Sequence, residues 1–144
     1  MKVSEIKVSY TTANTTKVKV TNSNDVYQIA IKNWDVNLIE LQEEMKVIFL
    51  NRANEVLGFY ELSKGGTSGT VVDVKLILSV ALKCNSHSIV LCHNHPSGNL
   101  TPSKADLKIT DKVKTACGYL DLNLLDHLII TKSGYYSFGD EGIL

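Results

Sequence analysis

Apolar and polar positions along this chain recur with two periods, and each change of period marks an element. Val26, Ile29, Ala30 and Trp34 stand at helical spacing and predict a helix over residues 26–34, capped by the polar cluster 21–25. Leu38, Ile39 and Leu41 predict a short helical turn after Asp35. Residues 43–50 and 56–62 read as two strands joined by a hairpin loop over 51–55. Asp73 can cap a helix running to Lys83, with Val74, Ile77, Leu78 and Ala81 on its inner stripe. Residues 88–92 are almost wholly apolar, as expected of a central strand buried on both faces. An amphipathic helix over 102–117, a buried strand over 124–131 and a short strand over 135–138 complete the pattern.

Strands and helices alternate without repeats or low-complexity linkers, which predicts an α/β or α+β domain around one mixed sheet. At the front, β-branched residues alternate with lysines over 3–10 and 16–21. That predicts an appended β-hairpin, so the chain divides into a strand extension over 1–24 and a domain over 25–144. The stretch Gly65-Gly66-Thr67-Ser68-Gly69-Thr70 reads as a tight loop passing close to a site. It lacks the G-K-[ST] and G-x-G-x-x-G patterns of phosphate cradles.

Composition narrows the function classes. Fifteen basic and fifteen acidic residues give a formal charge of zero, and Arg52 is the only arginine among fourteen lysines. A broad nucleic-acid footprint needs a basic surplus, and base-edge recognition leans on arginine, so DNA is weakly supported as a partner. The three cysteines include no C-x-x-C pair, which excludes a cysteine zinc knuckle and a disulfide framework. No long apolar run is present, so the chain reads as cytoplasmic, without a membrane partner. The oligomeric state is not encoded in any pattern of this kind.

Chemistry concentrates in residues 91–106, LCHNHPSGNLTPSKAD. His93 and His95, two apart at a strand end, present their rings to one side, and Pro96 stops the strand. On the helix that follows, Asp106 shares its side with Ile109, Val113, Ala116 and Cys117, while Lys104, Lys108, Lys112 and Thr115 fall opposite. A carboxylate on an apolar stripe needs a cation or strong donors. Two imidazoles and a carboxylate would bind a divalent metal, with Zn2+ (one per chain) the first choice. The pattern Ser103-x-x-Asp106 equally fits a helix capping box. Hydrolysis by such a metal needs a general base. Glu43 alternates with Met45, Val47 and Phe49, whereas Glu44 shares the side of Lys46. Spacing alone also fits a solvated pair at a helix-to-strand junction. Cys92 and Cys117 read as core, and Asp126 with His127 as a satisfied buried pair in mid-strand. A His-Asn-His nuclease would spread its histidines along a ββα unit in basic surroundings, and a nucleoside deaminase would need a downstream Pro-Cys-x-x-Cys.

His93-x-His95-Pro96, then Ser103-x-x-Asp106, with a glutamate on an earlier strand, resembles the JAMM/MPN-type zinc metalloproteases. With EEMKVIFLN, GGTSGTVVD, LLDHLII and YYSFGDEG, the chain from about Trp34 to Leu144 is similar to the RadC family. The resemblance implies a cytidine-deaminase-like fold, with zinc on His93, His95 and Asp106. It implies Glu43 as base, since that residue stands two before Met45, and Ser103 as a helper that stabilises the tetrahedral oxyanion. A peptide or protein substrate follows. Longer RadC proteins carry a helix-hairpin-helix-like segment associated with DNA binding, and residues 1–33 are too short and strand-like to supply one. The leading expectation is a zinc metallopeptidase. Competing ones are a DNA-repair or mobile-element accessory protein and a metal-stabilised interaction module without turnover.

Overall fold

A computed structural model describes residues 1–13, 16–65 and 71–144. Its elements in chain order are α1 (Ser23–Lys32), β1 (Glu44–Leu50), β2 (Val56–Lys64), α2 (Val74–Lys83), β3 (Ser88–Asn94), α3 (Lys104–Tyr119), β4 (Asn123–Ile130) and β5 (Tyr135–Ser137). The strands form one mixed sheet in the order β2-β1-β3-β4-β5, in which only β3 and β4 run parallel. This is the α+β architecture that the alternation of periods predicts.

Strand phase divides the core in two. Ile48, Leu50, Val90, Cys92, Leu128 and Ile130 face α1, packing with Val26, Ala30, Trp34 and Ile39. Met45, Val47, Phe49, Ile89 and Leu91 face α2 and α3, packing with Ile77, Ala81, Val113 and Cys117. The central strands β1 and β3 are buried along their whole length, as the apolar runs over 47–50 and 89–92 require. Capping is local and legible. Asn22 accepts from the Asp25 amide at 3.0 Å, and Asp73 accepts from the Leu76 amide at 3.2 Å.

The predicted front hairpin is not formed among the described residues. Val3, Ile6 and Val8 are exposed, and Lys19 makes only an isolated bridge to Glu55. The bridge is flanked by bonds of 2.8 Å from Val20 N to Asn54 O and from Val56 N to Val18 O. The physical reason is that a two-stranded ribbon without a third strand or a covering layer is marginal in water, whatever its β propensity. Val20 instead enters the core beneath α1. Most of the glycine-rich loop, residues 66–70, lies outside the described residues. Gly65 donates its amide to the Glu43 carbonyl at 2.8 Å.

Candidate metal centre

The antiparallel register of β1 on β3 places Met45 opposite His93, two residues beyond Glu43. Beyond the strand, the His95 amide still bonds to the Ile130 carbonyl of β4 at 3.2 Å. The chain then turns through Pro96 and Ser97, closed by the Gly98 amide on the His95 carbonyl at 2.9 Å, with Gly98 at φ +83°. This turn brings the Asn99 carbonyl back to His95 Nδ1 at 2.6 Å, which fixes the ring. A carbonyl can only accept, so Nδ1 carries the proton and Nε2 faces inward.

α3 then presents its first turn to the two rings. Ser103 is the N-cap, its Oγ accepting from the Asp106 amide at 3.0 Å while Asp106 Oδ2 accepts from the Ser103 amide at 2.8 Å. The capping box is therefore real, and Asp106 serves it without leaving the cluster. Its Oδ1 lies 3.2 Å from His93 Nε2 and its Oδ2 3.1 Å from His95 Nε2. The two Nε2 atoms are 3.0 Å apart. Glu43 Oε1 stands 4.0 Å from His93 Nε2. One donor atom from each of Glu43, His93, His95 and Asp106 lies within 4.8 Å of the others.

Two imidazole nitrogens and a carboxylate turned on one point need a shared cation. Asp106 is 9% exposed. Burial pushes its pKa up, but the imidazoles of His93 and His95 beside it and the Ser103 amide outweigh that and hold it far below the usual carboxylate range. The Asp106 carboxylate in turn raises the pKa of His95, against partial burial. The donor set fits a divalent metal of borderline hardness, which would take the place of the shared proton.

The centre opens into a cavity of about 470 Å³, walled by Met45, Val72 and Ile109. Lys108 and Lys112, expected on the far side of the helix, are exposed yet reach its rim. Ser103 also lines it, and its O–H has no acceptor among the described residues. Glu44 is on the other face of the sheet, 1% exposed and 3.9 Å from both Lys46 and Lys64. Cys92 and Cys117 are core, with burial pushing the Cys117 thiol up to about 11.

Three residues with clear roles escaped the sequence reading. Asn94, on the opposite side of the strand from the two rings, accepts from the Glu44 amide at 2.7 Å. It also donates to the carbonyls of Ile39 at 2.7 Å and Gln42 at 2.8 Å, so it pins the turn that carries Glu43. His127 contacts His93, and Thr110 contacts His127. Asp126 and His127 are both buried and satisfied, as expected; the His127 amide donates to Asp126 Oδ1 at 2.7 Å, while their side chains bond on opposite faces, because neighbours along a strand point apart. Asp126 accepts from Ser137 Oγ at 2.6 Å and from the Gly139 amide at 2.9 Å. No helix among the described residues is long and apolar enough to cross a membrane.

Relatives share the sequence across this frame. A UPF0758 protein of Flavobacterium johnsoniae is 50% identical over 126 residues, covering 87% of this chain and 53% of the relative. One from Porphyromonas gingivalis is 45% identical over 104 residues, covering 72% and 46%. One from Clostridium botulinum is 38% identical over 127 residues, covering 88% and 54%. The chain thus spans about half the length of these relatives. The family model for the RadC-like JAB domain matches residues 20–143, a span that holds every strand, every helix and the whole donor cluster. On that match the chain belongs to the RadC-like JAB domain family.

Proposed function

We propose that this domain is a zinc-dependent hydrolase of JAMM type that cleaves a peptide or isopeptide bond. The observation that carries the reading is the convergence of Glu43, His93, His95 and Asp106 at the floor of an open cavity. His93, His95 and Asp106 would hold the ion, a two-imidazole, one-carboxylate set of the kind used by catalytic zinc. Bound there, zinc supplies Lewis acidity and brings the pKa of a water towards about 7. Glu43, set back from these three, takes the proton of the attacking water and passes it to the departing amine. Ser103 donates its unengaged hydroxyl to the developing oxyanion while its lone pair continues to cap α3. The apolar walls of Met45, Val72 and Ile109 receive the carbon skeleton flanking the scissile bond.

Metal analysis of purified protein, followed by a peptide and isopeptide library, tests the reading. Zinc near one equivalent is expected in both wild type and Glu43→Gln, with cleavage by wild type and none by the variant. Zinc that neither copurifies nor binds on reconstitution would overturn it. Cleavage that persists in Glu43→Gln would remove the base from its role.

A further inference from the structure

We propose that Thr110 and His127 form a buried relay that fixes the tautomer of His93, so that its Nε2 lone pair faces the metal, and that both are positioning residues of the hydrolytic site. The relay is read from donors and acceptors. Thr110 Oγ1 donates to the carbonyl of Asp106, one turn earlier, at 2.7 Å. The same oxygen lies 2.7 Å from His127 Nδ1. A hydroxyl has one proton, so with that proton on the carbonyl Oγ1 is left to accept, and His127 Nδ1 is its donor. The His127 ring is wholly enclosed and stacks on Phe138, with centroids 4.5 Å apart and planes 14° from parallel. A wholly enclosed ring whose two nitrogens meet a hydroxyl and a second imidazole has no anion to hold a second proton, so His127 is neutral and, with its proton on Nδ1, Nε2 is bare. That nitrogen lies 2.8 Å from His93 Nδ1, which therefore carries the proton.

A neutral His93 protonated on Nδ1 has its lone pair on Nε2, the atom facing His95 and Asp106. His95 reaches the same state by a shorter route, through the Asn99 carbonyl. His93 is deep in the sheet, and among the described residues no carbonyl meets its Nδ1; the threonine–histidine pair takes that place. The reversed chain is the alternative. Thr110 would donate to His127 Nδ1, His127 Nε2–H to His93 Nδ1, and the proton of His93 would then sit on Nε2 and block ligation. The Asp106 carbonyl decides between the two, so one residue offers its carboxylate to the metal and its carbonyl to the relay.

The inference rests on the metal reading, yet the tautomers can be read in metal-free protein, so the two can fail separately. Long-range proton–nitrogen NMR of the full chain is expected to show His127 and His93 both protonated on Nδ1. Thr110→Val keeps the shape of the side chain and removes the hydroxyl, whereas Thr110→Ser keeps the hydroxyl and removes the methyl. Against a competing chelator, Thr110→Val is expected to bind zinc about 10- to 100-fold more weakly than wild type, with Thr110→Ser close to wild type. A packing role would give the opposite order. His127 protonated on Nε2, or Thr110→Val binding zinc as wild type does, would overturn the relay. If Thr110→Val does not fold, the wild-type tautomers decide the question alone.

Discussion

Asn94→Ala should separate the frame of the site from its ligands. Asn94 is 0% exposed and makes three bonds to backbone groups. Two of them, to the Glu44 amide and the Ile39 carbonyl, are buried, while that to the Gln42 carbonyl is only partly so. Truncation leaves the two buried groups unsatisfied at about 1–3 kcal/mol each, and water can replace the third bond. The expected loss is therefore about 2–6 kcal/mol, a large part of the roughly 5–15 kcal/mol that holds a domain together. With a urea dependence of about 2 kcal/mol per molar, the midpoint should fall by about 1–3 M. Fluorescence of Trp34, the single tryptophan, buried in the same layer as Ile39, reports the transition, and coincidence with circular dichroism tests whether it is two-state. In conditions where the variant stays folded, hydrolysis should fall further than zinc affinity, because Asn94 holds the turn before β1 and not His93, His95 and Asp106. A stability loss under about 1 kcal/mol with an unchanged urea slope would refute the reasoning, since water would then be replacing all three bonds.

Two further expectations concern pH. Metal must displace the proton that Asp106 helps hold on His95, whose pKa lies above the ordinary 6.5, so zinc affinity should rise with pH through that raised value; competition titrations between about pH 6 and 8 that stay flat would contradict this. The folded-state pKa of His127 is lowered, so below about pH 6.5 the unfolded chain binds a proton that the folded one refuses, and stability is lost as pH falls, by about 1.4 kcal/mol per unit. His95 acts in the other window: its raised pKa contributes stability below 6.5 that is lost as pH rises through the folded value. Urea midpoints of metal-free protein at a series of pH values, compared with His127→Gln, should show the acid-side slope in wild type and its loss in the variant.

The meeting of His93, His95 and Asp106 was legible because these residues lie within one strand end and one helix turn, where periods of two and 3.6 fix direction from sequence alone. Asp106 stood out as a charge on an apolar stripe. Thr110, four residues on and on the same stripe, carried the same kind of signal in weaker form, since a threonine inside a helix raises no alarm. His127 could not be placed, because its meeting with His93 depends on the parallel register of β3 on β4, which slips between Ile89 and Val90. No local pattern encodes that slip. The front hairpin failed for the converse reason: residues 3–10 have strand-like composition, but among the described residues no layer covers Val3, Ile6 and Val8.

The choice between Glu43 and Glu44 shows how a register becomes chemistry. Lys46 pairs with Cys92 and Met45 with His93, so the side of β1 that carries Met45 is the side on which the His93 ring lies. Glu43 continues that side past the strand end. Glu44 continues the other, where the bond from its own amide to Asn94 holds the pairing in place. A slip of one residue would turn every side chain to the opposite face and bring Glu44 to the rings in place of Glu43. Asn94 resists that slip because its three partners all belong to residues 39–44. The alternation that points His93 at the cavity thus points Asn94 at the segment bearing Glu43, and one strand end sets the positions of both His93 and Glu43.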